Sequence, residues 1–238
     1  MTYCVAIAVD KGLIFTSDSR TNAGIDQIST YSKMHQFGID GQCQFVIMGA
    51  GNLATTQAVI KKIRNDIKDN SPINLLHAKS LDEAADYLGE LNFSQQNKYA
   101  ATNISVNHEA SFIIGGQIAG RKPGIILVYP QGNYITSSES TLYLQIGESK
   151  YGKPILDRIL SPETELETAA LCSLVSMDST MRSNLTVGPP IETAIYKTDS
   201  FSLQHHKFNE DSSFLRDLNR SWDALMKNAF SQLTPIDF

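Results

Sequence analysis

The order of strand and helix patterns constrains the fold of this chain more than any other feature. Apolar and small residues fill a strand pattern from Tyr3 to Val9, and Asp10-Lys11-Gly12 has the composition of a tight turn. The segment LIFTSD at 13–18 then returns as a second strand. Strands joined by so short a turn pair as an antiparallel hairpin, so the chain does not open as a doubly wound parallel sheet.

Further along the chain, groups of strand patterns alternate with helix patterns. Periodicity predicts further strands at 34–40, 43–48, 111–120, 124–130, 134–138, 142–147, 191–197 and 202–208. It predicts helices at 52–69, 80 to about 91, 151–160, 164–180 and 211–230. This order predicts an α+β fold, a four-layer α/β/β/α sandwich of two antiparallel sheets flanked by helices, in a single domain over residues 1–238.

Charge and cysteine content exclude several classes of function. Lys and Arg number 20 against 25 Asp and Glu, a net charge of −5, and the cations are scattered along the chain. This argues against nucleic acid or an anionic membrane as a partner. Three cysteines without CxxC spacing indicate neither a disulfide framework nor a zinc site, and no nucleotide-binding glycine motif occurs. Since no secretory signal or membrane helix is evident, we expect a cytoplasmic protein. Since no metal-binding or nucleotide-binding motif occurs, we expect it to use no metal or cofactor.

Thr2 stands between Met1 and the first strand. Methionine aminopeptidases remove Met when a small residue follows, which would leave a free α-amino group and a threonine hydroxyl at the end of a sheet. A hydroxyl needs a base to become a good nucleophile, and an α-amino group, with a reference pKa of about 7.7–8.0, can serve as one. A lysine nearby favours the neutral amine, and a carboxylate would hold that lysine. Asp18 and Lys33 are the candidates for these two roles.

Several motifs carry a resemblance to a known family. Thr2, SDSRTNAG at 17–24, Lys33 and MGAGNLAT at 48–55 together resemble the N-terminal half of proteasome β subunits and of the bacterial peptidase HslV. Two later segments, GESKYGKPILDR at 147–158 and MDSTMRSNLTVGPP at 177–190, make the chain similar to Anbu, the bacterial ancestral β-subunit family. The resemblance covers essentially the whole chain. It implies an N-terminal-nucleophile hydrolase with the four-layer fold.

The resemblance also implies a role for each site residue. Thr2 would be the nucleophile and, through its own amine, the base, while Asp18 would orient Lys33 and Lys33 would tune proton affinity at the nucleophile. The amide of Gly51 would donate to the oxyanion. Two further residues match the serine and aspartate that support the threonine in proteasomes: Ser183 and Asp178. We expect substitution of Asp18 or Lys33 to lower activity by roughly 10²-fold while the melting temperature moves little.

Two departures from proteasomes leave points open. The interval from Asp18 to Lys33 is 15 residues, one shorter than usual in proteasome subunits. Where proteasomes have a serine after a glycine, this chain has Gly147-Glu148-Ser149. The sequence does not decide whether Glu148 or Ser149 supports the amine of Thr2.

The resemblance implies a threonine peptidase subunit that assembles with identical subunits into a ring or an open helical array around peptide or amide substrates. Two alternatives stay open, a catalytically weak or inactive assembly subunit and an N-terminal-nucleophile amidase for a non-peptide amide. An unidentified ATPase or adaptor is a further candidate partner. The helices at 52–69 and 80–91 are the expected contact surface. Their predicted outer positions include Ala58, Val59, Ala84 and Ala85.

Overall fold

The computed structural model describes residues 1–22, 28–100 and 107–237. Its strands are β1 (Tyr3–Val9), β2 (Gly12–Ser17), β3 (Arg20–Asn22), β4 (Ile28–Thr30), β5 (Met34–Ile39), β6 (Cys43–Gly51), β7 (Ala110–Ile118), β8 (Gly124–Val128), β9 (Tyr134–Thr136), β10 (Tyr143–Gly147), β11 (Ile191–Lys197) and β12 (Leu203–Phe208). Its helices are α1 (Leu53–Lys68), α2 (Leu81–Ala100), α3 (Ser149–Ile159), α4 (Leu166–Ser183) and α5 (Ser213–Ser231).

Two five-stranded antiparallel sheets form the centre of the molecule, with strand orders β10-β1-β2-β11-β12 and β5-β6-β7-β8-β9. β1 and β2 form the predicted hairpin, with Cys4 opposite Ser17. β1 also pairs with β10 on its other side, where Tyr3 lies opposite Gly147. The first strand is therefore held from both sides, which fixes the position of the residues that precede it.

Side-chain alternation along the strands produces the four layers. Cys4, Ala6 and Phe15 point between the sheets, where they share a buried cluster with strands of the second sheet. Tyr3 and Val5 point the other way, into a cluster with α3 and α4. The outer face of the second sheet packs against α1 and α2 in a third cluster. The α/β/β/α sandwich predicted from the sequence is confirmed.

Helix α1 begins where the sequence predicts, since the side chain of Asn52 accepts a hydrogen bond from the Thr55 amide as an N-cap. The prediction for the outer positions of α1 and α2 is wrong at three of its four residues, however, since only Ala58 is partly exposed. Val59, Ala84 and Ala85 are each 0% exposed, because both helices press these small side chains onto the sheet. Large apolar side chains remain exposed on several helices, and the most exposed of them lie on α5, where Leu225 is 62% and Phe230 76% exposed.

Two other predictions differ from the structure. Helix α2 continues to Ala100, about nine residues beyond its predicted end. The short hairpin β3–β4 follows β2 and was not expected from the sequence, because its three-residue strands carry no clear alternation. The last two residues of the SDSRTNAG motif, 23 and 24, lie outside the described residues. Within the described ranges, no helix combines the length and apolar character that crossing a membrane requires.

Candidate active site

The start of β1 and the end of β2 lie side by side at one end of the strands of the first sheet, because the two strands are antiparallel. The backbone N–H of Tyr3 donates to Oδ1 of Asp18 at 3.0 Å, and the Asp18 N–H donates to the Tyr3 carbonyl at 3.2 Å. The carboxylate of Asp18 is thereby fixed beside the residue that follows Thr2.

Lys33 reaches the same carboxylate from the second sheet. Its Nζ donates to Oδ1 of Asp18 at 2.7 Å and to the carbonyl of Arg20 at 2.7 Å. The side chains of Lys33 and Asp18 are only 8% and 0% exposed. The Lys33 backbone is also held, since its carbonyl accepts the Gly49 N–H of β6 at 3.1 Å. The structure thus brings Asp18 and Lys33 together as a buried ion pair that spans the two sheets.

Burial and hydrogen bonding shift the pKa of Asp18 in opposite directions. Burial is the largest influence and raises the pKa of the Asp18 carboxyl. The charge and hydrogen bond of Lys33, and the backbone N–H groups of Tyr3 and Gly188, act against that rise. The neighbouring Cys4 is fully buried, and burial raises the pKa of its thiol, so this cysteine is not a candidate nucleophile.

Gly51 ends β6 immediately before α1. Its φ is +113°, and an added Cβ would lie 2.4 Å from the carbonyl oxygen of Glu109, so only glycine fits. Asn52, the next residue, donates to that same carbonyl at 2.9 Å. Since N–H groups alternate in direction along an antiparallel strand, the Gly51 N–H points away from β7 and is free to donate elsewhere.

Glu148 is the residue directly across from Thr2. Its N–H donates to the Thr2 carbonyl at 2.8 Å, which continues the β1–β10 ladder by one residue. Gly147 has a φ of +83°, and an added Cβ would lie 1.9 Å from that same carbonyl oxygen. Glu148 is buried at 9% exposure, and its carboxylate has no hydrogen-bond or ion-pair partner among the described residues. Ser149 is exposed at the start of α3, so Glu148 is the one of the two that lies beside Thr2.

Thr2 is half-buried, and Met1 before it is 63% exposed. Two cavities flank this end of β1. One, of about 380 Å³, is lined by Gly51 and Gly147. The other, of about 500 Å³, is lined by Lys33 and Gly49. The site therefore has room for a substrate on both sides.

Asp178 and Ser183 are not brought into the Asp18–Lys33 cluster. Asp178 faces α5, where its Oδ1 accepts the side-chain amide of Asn219 at 2.9 Å, and burial raises its pKa. Ser183 is the exposed last residue of α4. Their support of the threonine stays a prediction.

Gly188, from the same sequence motif, does reach the cluster, and the sequence analysis missed it. Its N–H donates to Oδ2 of Asp18 at 3.3 Å, and an added Cβ would lie 2.4 Å from the guanidinium carbon of Arg20. The preceding turn is shaped by Asn184, whose side-chain oxygen accepts the N–H and hydroxyl of Thr186. The Gly-Pro-Pro sequence that ends this turn is the one signal that marked it as a fixed backbone segment.

Comparison with known proteins places the whole chain beside one group. Residues 2–195 match the family model described as proteasome subunit. The chain is 43% identical to the solved structure of Anbu, the ancestral β-subunit, from Yersinia bercovieri, with a TM-score of 0.94 and 99% of both chains covered. It is 40% identical to a chain of the helical assembly of the Anbu complex from Pseudomonas aeruginosa, with a TM-score of 0.92 and coverage of 99% and 98%. A Gly-1 mutant of Anbu from Hyphomicrobium sp. strain MC1 is 38% identical over both whole chains, with a TM-score of 0.93. A comparison with curated proteins found no match.

Proposed function

The chain belongs to the proteasome subunit family and, within it, to the Anbu group, and from this we propose that it is a threonine-type hydrolase that cleaves peptide amide bonds through Thr2. One observation carries the proposal. The buried Asp18–Lys33 pair is hydrogen-bonded to the backbone of Tyr3, so a cation is held next to the residue that would bear the free amine. A buried pair at a strand end has no evident structural need for both charges.

The proposed reaction begins when Met1 is removed and the amine of Thr2 is freed. The neutral amine accepts the proton of the Thr2 hydroxyl as Oγ attacks the substrate carbonyl carbon. The Gly51 N–H donates to the oxygen that becomes negative. Collapse of the intermediate breaks the C–N bond, and the ammonium returns its proton to the leaving amine. Water then hydrolyses the ester between Oγ and the acyl group, with the amine again as base.

Lys33 and Glu148 are proposed to act on the amine in opposite ways. The ammonium of Lys33 disfavours a second positive charge nearby and so favours the neutral, basic amine. The carboxylate of Glu148, which has no other partner among the described residues, would accept a hydrogen bond from the amine and hold it in place. Asp18 holds Lys33 in place through their hydrogen bond. Glu148 would thus fill the position where proteasomes have a serine.

The proposed reaction is tested with the unsubstituted protein, three variants and one fluorogenic peptide. Thr2→Ala removes the hydroxyl and should abolish turnover, whereas Thr2→Ser keeps a hydroxyl on an amine-bearing residue and should retain part of it. Ser183→Ala, at an exposed position away from the Asp18–Lys33 pair, measures the support expected of that residue. Equal turnover by Thr2→Ala and the unsubstituted protein would refute the proposal.

We also propose that identical subunits assemble into a ring or an open helical array. The relative from Pseudomonas aeruginosa forms a helical assembly. In this chain, an apolar groove between α3, α4 and α5 is lined by Ile155, Trp222 and Phe230, and the outer side of α5 is exposed. A second copy that packs on α5 would cover this surface, in place of the α1–α2 face expected from the sequence.

A further inference from the structure

The larger cavity beside the site has a marked charge asymmetry. It measures about 500 Å³ and lies between β5, β6 and the first turns of α1. Apolar atoms of Ile60 and Phe112 contribute to its wall, and Lys33 lines it on the side of the Asp18 contact. Lys61 and Arg64, about one helical turn apart on α1, also line it. The cavity is therefore lined by Lys33 and by two further cations.

The charged side chains that the structure describes in the cavity wall are all cationic, and Glu192, whose charge acts on His35, does not line the cavity and is hydrogen-bonded to His205. Among the described residues that line it, none is an aspartate or a glutamate. The nearest acid on α1, Asp66, is paired with Lys62 and accepts the hydroxyl of Tyr87. Asp18 is already paired with Lys33. No ion pair joins Lys61 or Arg64 to a described carboxylate.

Arg64 is oriented by a neutral histidine. Its Nη2 lies 3.4 Å from Nδ1 of His35, and because a guanidinium can only donate, Nδ1 is the acceptor and the ring proton is on Nε2. Burial, with the charge of Arg64, lowers the pKa of His35 to about 4. The imidazole therefore remains an acceptor at neutral pH. Arg64 is therefore held at the cavity wall by a neutral partner, and its positive charge is not neutralised by a carboxylate of the described residues.

We propose that this cavity binds the carboxylate side chain of an aspartate or glutamate at the residue whose carbonyl Thr2 attacks. The inference rests on the proposed function, since it names the substrate class of the same site. The side chain of that residue lies next to the reacting carbonyl, and the cavity is lined by Lys33, whose partner Asp18 accepts the N–H of the residue that follows Thr2. A carboxylate that enters the cavity meets the cations of Arg64 and Lys61, and apolar atoms of the wall contact its methylene groups. A basic side chain would meet only like charges.

The test uses two peptide epoxyketones that are identical except for Glu or Gln at the reacting residue. The rate of adduct formation is followed by intact mass at about 50 mM salt. We expect the Glu probe to react about five- to tenfold faster than the Gln probe, and the ratio to fall below about twofold at about 500 mM salt, since the cations are solvent-accessible. In the double variant Lys61→Gln/Arg64→Gln, the ratio should fall to about one.

Lys68→Gln is the matched control, because Lys68 is an exposed cation on the same helix outside the cavity. It should keep the full Glu-to-Gln ratio. A ratio of one in the unsubstituted protein, or a ratio that the double variant leaves unchanged, would overturn the inference while leaving Thr2 as nucleophile. If neither probe forms an adduct, the proposed function fails, and the inference fails with it.

Discussion

Removal of Lys33 should destabilise the protein, and by an amount that depends on pH. The Asp18 carboxylate is 0% exposed, and in Lys33→Ala its remaining partners among the described residues are the N–H groups of Tyr3 and Gly188. Breaking a buried pair by deleting one partner costs about 3–5 kcal/mol. We expect a loss of about 3 kcal/mol in the free energy of unfolding at pH 8.

The pH dependence follows from the direction of the pKa shift. Burial already raises the pKa of Asp18, and Lys33 is the largest influence against that rise, so its loss raises the pKa further. The folded variant then binds a proton that the unfolded chain, with an ordinary pKa of about 3.9, has released. Protonation of Asp18 therefore stabilises the folded variant at low pH. This contribution to the free energy of unfolding is lost as the pH rises through the folded pKa, by up to about 1.4 kcal/mol per pH unit.

Urea unfolding between pH 5 and 8 measures this effect. The loss in Lys33→Ala should be clearly smaller at pH 5 than at pH 8, while Lys122→Ala, at an exposed turn, should change little at any pH. Adding Asp18→Asn to Lys33→Ala should restore part of the stability at pH 8, because no buried charge remains. A loss below about 1 kcal/mol that does not vary with pH would refute the reasoning.

Three further outcomes are expected. Glu148→Gln should shift the acidic limb of the pH–activity profile to lower pH, because a neutral amide no longer favours the protonated form of the Thr2 amine. An acidic limb that does not move would argue against a contact between Glu148 and that amine. Neutral His35 should contribute at most about 3 kcal/mol of stability, present above pH 6.5 and lost as pH falls toward 4, so His35→Gln should flatten acid unfolding curves in that window. Phe230→Ser, at 76% exposure on α5, should reduce the assembly size measured by light scattering. Ile73→Ser, at 75% exposure in the segment between α1 and α2, should not.

The order of the main strands and helices, the hairpin of β1 and β2 and the start of α1 could all be predicted because each depends on local pattern. The contact between Asp18 and Lys33 followed from a resemblance, and the structure brings the two side chains together at 2.7 Å. That both side chains are buried could not be predicted, since a lone lysine is usually a surface residue. The expectation of an unchanged melting temperature therefore gives way to the stability loss described above.

The features that the sequence did not reveal depend on contacts between distant parts of the chain. Helices α1 and α2 carry small residues around much of their circumference, so periodicity alone did not decide that Val59, Ala84 and Ala85 face the sheet. Gly188 contributes a backbone N–H, which no side-chain pattern records. Which of Glu148 and Ser149 lies across from Thr2 was left open rather than mispredicted, because it depends on the β1–β10 register, which one sequence does not specify.

The central claim is that Thr2, freed of Met1, is both nucleophile and base. Intact mass and peptide mapping after treatment with a peptide epoxyketone test it most directly, because the morpholine adduct requires a hydroxyl and a free amine on one residue. The account predicts an N-terminal peptide that begins at Thr2 and carries one inhibitor, with no adduct in Thr2→Ala. An N-terminal peptide that retains Met1, or equal labelling of Thr2→Ala, would contradict it.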